Sequence, residues 1–72
     1  MFHGVFEGRV LTRTEHGILV NIGERQAFVP IADARLVDVV PGDLVRSAWR
    51  DDRPLSVTVT KQNGERISLE VA

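Results

Sequence analysis

Apolar residues in this chain recur at every second position rather than every third or fourth, and that rhythm constrains the fold more than any other feature. Ile18, Val20 and Ile22 alternate with Leu19 and Asn21. Val45, Ser47 and Trp49 alternate with Arg46, Ala48 and Arg50; Leu55, Val57 and Val59 alternate with Ser56, Thr58 and Thr60; Ile67, Leu69 and Val71 alternate with Ser68 and Glu70. Successive side chains of a strand point to opposite faces, so each segment reads as a strand with one buried face. Val5 to Thr14 adds β-branched residues among charged ones, with Gly8 marking a bend. A turn at Gly23-Glu24-Arg25 leads into Gln26 to Pro30 and completes a meander.

The segment from Ile31 to Val40 breaks the rhythm. Asp33 is placed to cap a short helix on which Leu36, Val37 and Val40 share one side. Pro41-Gly42 then turns the chain into the fourth strand. Asp51-Asp52-Arg53-Pro54 makes the next turn, and Asn63-Gly64 the last, with the dipeptide that type I′ hairpins favour. Strands dominate and helix is scarce. The fold class is therefore all-β, a small five- or six-stranded antiparallel barrel with a short helical connector between the third and fourth strands, since closure hides sheet edges. Val10, Val20, Ile22, Phe28, Val45, Trp49 and Val57 are its expected core.

At 72 residues the chain has room for one domain and a small core. Folding at this size removes only roughly 60% of the unfolded surface from water, which leaves little to spend on a deep substrate cavity. The absence of cysteine excludes disulfides and thiolate metal sites and fits a reducing compartment. The first residues carry no secretory pattern and no apolar run is long enough to span a bilayer, so the expectation is a soluble, cytoplasmic monomer with no membrane partner. Nine basic against ten acidic residues leave no global basic excess. Any affinity for nucleic acid must come from a local patch.

Residues that carry chemistry are sparse. His3 and His16 stand apart without cysteine or repeated carboxylates, so no metal site or cofactor is expected. Ser47, Ser56 and Ser68 lie within strand patterns, without a base at a recognisable spacing. Gly4, Gly8, Gly17 and Gly23 are separated by strand residues and do not form a phosphate-binding loop. The chain reads as a binding module, not an enzyme.

Gly8, Val10, His16, Gly17, Ile18, Leu19, Val20 and Gly23, followed by Phe28-Val29-Pro30-Ile31 and Gly42-Asp43, lie at separations that resemble an S1-type RNA-binding domain, an OB fold. The match covers roughly residues 5 to 60. It is most similar to S1 domains of the bacterial elongation-factor kind and more distantly to the bacterial initiation-factor barrel. The resemblance implies one S1-like OB-fold domain over residues 1–72, with 62–72 as an additional C-terminal hairpin strand. Arg53-Pro-Leu-Ser-Val57 and Arg66-Ile-Ser-Leu-Glu70 both resemble the family's last strand, and strand length favours the first. Two aromatic stacking positions of many S1 domains correspond here to His16 and Leu19, and a third-strand histidine to Pro30.

The function expected from that resemblance is weak binding of single-stranded RNA by a small barrel acting as an accessory or regulator of transcription or translation. The candidate RNA-binding residues are Arg9, Arg13, His16, Leu19, Asn21, Pro30, Arg46 and Arg66. Leu19 and Asn21 point away from the core if Ile18, Val20 and Ile22 point in, and Arg9 and Arg13 share that outward direction on the neighbouring strand. The competing reading pairs these arginines with Glu7, Glu15 and Glu24 across strands, each pair contributing less than about 1 kcal/mol. The alternative function is a protein-binding adaptor that docks on RNA polymerase or the ribosome without touching RNA, using an edge strand or the Phe28 to Ile31 segment.

Overall fold

In the computed structural model, which describes residues 3–72, six strands form one antiparallel sheet. They are β1 (Gly4–Arg13), β2 (Gly17–Ile22), β3 (Arg25–Pro30), β4 (Leu44–Arg50), β5 (Arg53–Thr60) and β6 (Arg66–Leu69). Their order across the sheet is β3-β2-β1-β4-β5-β6. β1 joins the two halves: Gly4 to Arg9 pair with β4, and Arg9 to Arg13 with β2. Gly8 sits where these pairings change over. A Cβ on it would lie 2.2 Å from the Asn21 carbonyl oxygen and 2.7 Å from Ile22 Cγ2, so the end of β2 can lie across β1 only because residue 8 has no side chain.

The inward faces of the strands meet in one core. Val10, Ile18, Val20, Val29, Val45, Val57 and Val59 are buried, with Ile31, Leu36 and Val39 of the connector closing one end. Ser47 faces inward among them, and its hydroxyl donates to the Ser56 carbonyl at 2.7 Å, which satisfies the one polar group on that stretch of β4. Of the expected core, Ile22 and Trp49 are half-buried and pack against it, the indole lying 6.0 Å from the Phe6 ring. Phe28 does not belong to the core. It is 44% exposed, because the pairing of Ile22 with Arg25 sets Phe28 opposite the outward Leu19 and gives the inward position to Val29. Leu55 is also exposed, since a register shift between Ala48 and Trp49 leaves it outside the alternation.

The connector is a 3-10 helix, Ala34–Asp38, capped as the sequence predicts: Asp33 Oδ1 accepts from the Arg35 backbone N–H at 2.9 Å. Its tight winding changes which residues share a face. Three residues per turn bring Leu36 and Val39 together on the core. Val37 and Val40, expected beside Leu36, are 69% and 44% exposed. The hairpin turns are also redistributed. Asp51 and Asp52, between the paired Arg50 and Arg53, both have positive φ and form the two-residue turn of type I′ kind. At Asn63-Gly64, where the sequence predicts that geometry, only Gly64 has positive φ. Lys61 N–H bonds Glu65 O at 2.7 Å around a wider loop, and Asn63 Oδ1 accepts from Glu65 N–H at 3.0 Å.

β3 and β6 are the edges of the sheet and are not paired along their length. Just beyond them, Ile31 and Val71 form an isolated antiparallel bridge. Ala32 N–H donates to Glu70 O at 2.9 Å, and Ala72 N–H to Pro30 O at 3.2 Å. Asp33 ties the same seam together: its Oδ2 accepts from Glu70 N–H at 3.0 Å, while Arg35 Nη2 reaches the Ser68 carbonyl at 2.5 Å. The Arg35 guanidinium, then the backbone N–H groups of Arg35 and Glu70, hold the Asp33 carboxyl far below the usual carboxylate range. Among the described residues no helix is long and apolar enough to cross a membrane.

Candidate nucleic-acid interface

One cross-strand row passes through all six strands on the outer face of the sheet: Gln26, Asn21, Arg9, Leu44, Thr60 and Arg66. Three of the sequence-predicted site residues, Asn21, Arg9 and Arg66, stand in it. Arg9 and Asn21 are direct partners, whereas Arg66 lies three strands away on β6. All of the expected residues except Arg13 therefore fall into two groups.

The first group gathers on β1, β2 and β3. Leu19 lies between Thr12 and Phe28 in the row beside Asn21 and Arg9. Pro30 pairs with Gly17, and His16 is exposed at the bend immediately before it. The His16 backbone N–H donates to Thr14 Oγ1 at 3.1 Å and its carbonyl accepts from Ile31 N–H at 2.9 Å, so the bend is fixed while the imidazole stays on the surface. Gly17 is the seat of this group. A Cβ there would come within 2.8 Å of Phe28 Cζ and 2.2 Å of the Val29 carbonyl oxygen, so the tip of the Phe28 ring occupies space that only a glycine leaves open. Arg9 adds a positive charge at the border, with Nη1 donating to the Gly42 carbonyl at 3.1 Å.

The second group is a groove on the other half of the sheet, lined by Glu7, Leu44, Arg46, Thr58, Thr60 and Arg66. Arg46 is already engaged there, with Nη1 3.1 Å from Glu7 Oε1. Both partners are largely exposed, so this pair competes weakly with any incoming anion. Arg66 forms no ion pair among the described residues.

Arg13 does not join either group. A register shift between Val10 and Thr12 reverses the facing of the end of β1, and Arg13 pairs with the buried Ile18 instead of continuing the outward series from Arg9. Its guanidinium Nη1 donates to the carbonyls of Val37 and, at 3.0 Å, Val39, where the 3-10 helix leaves acceptors without intrahelical partners. It fastens the connector to the sheet. Phe28 is the residue that sequence reasoning missed, although the chain carries a signal for it. A two-residue turn at Gly23-Glu24 fixes Ile22 opposite Arg25, and counting back from that pair places Phe28 with the outward Leu19.

Among the described residues no group of three or more His, Cys, Asp or Glu side chains is disposed to hold a metal ion. The exposed Phe28 ring, the His16 imidazole and the Arg9 guanidinium give this face apolar surface beside positive charge. No protein-family model, no curated protein and no solved structure matches this chain.

Proposed function

We propose that the chain is a small RNA-binding module of S1-type OB architecture, taking single-stranded RNA weakly on the face that carries Phe28, Leu19, Asn21, Arg9 and His16. The observation that carries this reading is the exposed Phe28 ring, its tip over Gly17 and beside Leu19, with an arginine in the next cross-strand row. A base offers a π-face to such a ring whatever its identity, and base–aromatic stacking contributes on the order of 1–3 kcal/mol per base. One phenyl ring and one imidazole are a small platform, so affinity is weak and tolerant of sequence. Arg9 meets the phosphate backbone, and Arg46 and Arg66 extend the track for a longer strand.

The architectural half of the proposal rests on the seam between the sheet edges. The Ile31–Val71 bridge and the Asp33 contacts draw the ends of β3 and β6 together, which supports a curled sheet approaching barrel closure. On that reading the segment from Arg66, not that from Arg53, is the strand that returns to β3. A cytoplasmic role as an accessory of transcription or translation follows from the same resemblance. The test is a titration of labelled oligouridine at low and moderate salt, with NMR shifts followed at Phe28, Leu19 and His16. The expected result is saturable shifts at these residues and a salt slope of about −0.7 per phosphate neutralised. Absence of shifts at low salt would overturn the reading.

A further inference from the structure

The edge of β3 offers backbone groups that nothing in the sheet uses. Ile31 N–H donates to His16 O, so that pair is hydrogen-bonded. Alternation along the ladder makes Ile18/Val29, Val20/Ala27 and Ile22/Arg25 the other bonded pairs. The N–H and C=O groups of Gln26 and Phe28 therefore point away from β2 to the open edge. Pro30 faces the same way, and its carbonyl takes Ala72 N–H. Beside this edge lies an apolar pocket of about 130 Å³ between Phe6, Ile22, Ala27 and Trp49, with Arg25 among its walls. Arg25 holds no ion pair among the described residues.

We propose that the β3 edge from Arg25 to Phe28 receives an extended peptide of a partner protein as a further antiparallel strand. The occupant seats an apolar side chain in the pocket beside Ala27 and Trp49, and two residues later sets a carboxylate opposite Arg25. This goes beyond RNA binding and does not depend on it. The direction follows from the seam: Val71 lies opposite Ile31, and a strand on that line meets Phe28 first, then Ala27, then Arg25. Phe28 and Gln26 each exchange an N–H and a C=O bond with the added strand, the mode in which sheet edges recognise peptides. The pocket is of the scale that accepts a benzene-sized apolar group. A nucleic acid supplies acceptors but not alternating donors and acceptors. A second copy of β3 supplies no carboxylate, since Arg25-Gln-Ala-Phe-Val-Pro30 contains none.

The experiment uses the full chain, nitrogen-labelled, and a synthetic octapeptide of alternating threonines with one leucine and a glutamate two places after it. A control peptide carries lysine in place of glutamate. The expected result is peptide-dependent shifts and slowed exchange at the Gln26 and Phe28 amides, shifts at the Trp49 indole, and at least about threefold tighter binding of the glutamate peptide. Arg25→Glu, a change on an edge strand that leaves the fold intact, reverses the preference between the two peptides. Gln26→Pro removes one outward N–H and weakens both. Unshifted amides at millimolar peptide overturn the proposal, as does equal affinity for both peptides in the parent and Arg25→Glu chains. Shifts that follow protein concentration without peptide make a second copy the occupant and also overturn it. Protection of these two amides by oligouridine but not by the peptide overturns it as well.

Discussion

Lys61 Nζ donates to Oδ2 of Asp43, a carboxylate with no exposure to solvent. The same oxygen accepts the Val40 N–H at 3.0 Å, and Lys61 also reaches the Asp38 carbonyl. One cation from the β5–β6 loop thus holds the carboxylate that organises the Pro41-Gly42 turn and the entry to β4.

Removing that cation leaves a buried charge held only by the Val40 N–H. Lys61→Met is expected to cost about 3 kcal/mol in urea denaturation, near the low end for breaking a buried pair because the lysine side chain keeps 17% exposure. Asp43→Asn combined with Lys61→Met keeps an acceptor for Val40 N–H while removing both charges. The double variant should therefore be more stable than Lys61→Met alone.

Phe28 separates binding from stability. Phe28→Ala should weaken oligouridine binding by about 1–3 kcal/mol, read by fluorescence anisotropy. The same change should move folding stability by no more than about 1 kcal/mol, because the ring is 44% exposed. A large loss of stability with unchanged RNA affinity would place the ring in the core after all.

Asp33 gives the seam a pH dependence with a definite sign. Its carboxyl is held far below the ordinary range in the folded chain by the Arg35 guanidinium and two backbone N–H groups. Its contribution to stability is therefore complete above the ordinary carboxylate pKa of about 4 and fades as pH falls toward the folded value. Urea midpoints of the parent chain and Asp33→Asn should differ most near neutral pH and converge on acidification below about pH 4.

The two-residue turn at Asp51 and Asp52 holds two L-residues at positive φ. Such a conformation costs roughly 1–2 kcal/mol for an ordinary side chain, against about 0.5–1 kcal/mol of extra backbone entropy for glycine. Aspartate enters this region more readily than most residues and the Asp52 side chain makes an interaction of its own, so the steric saving is largely offset. Asp52→Gly is expected to change stability by less than about 1 kcal/mol, measured by thermal unfolding.

Most of the strands are legible in the sequence because apolar residues recur at alternate positions along them, and that period survives except where a register shift breaks it, as at Leu55. Asp33 as a cap is legible for local reasons, whereas Gly8 is required by the close approach of β2. Phe28 is not, because Phe28 and Val29 are adjacent apolar residues, and hydrophobicity cannot say which one points in. Only the register set by the turn decides it. Arg13 escapes the pattern because the irregularity near Leu11 inverts facing without leaving a mark in composition. Val37 and Val40 depart from it with the winding of the connector: a period of 3.6 and a period of three select different partners for Leu36.

The Ile31–Val71 bridge also bears on how quickly the native state is reached. β1 with β2 and β3, and β4 with β5 and β6, are built largely from hairpins that close over short loops. The bridge joins residues separated by more than half the chain, and the entropy of closing so long a loop must be met before its few bonds form. It is therefore a late event in folding and an early one in opening. Native-state hydrogen exchange should find the Ala32 and Ala72 amides released at low denaturant, well before those of Val20 and Val45, so that the edges of the sheet part transiently while the core remains intact.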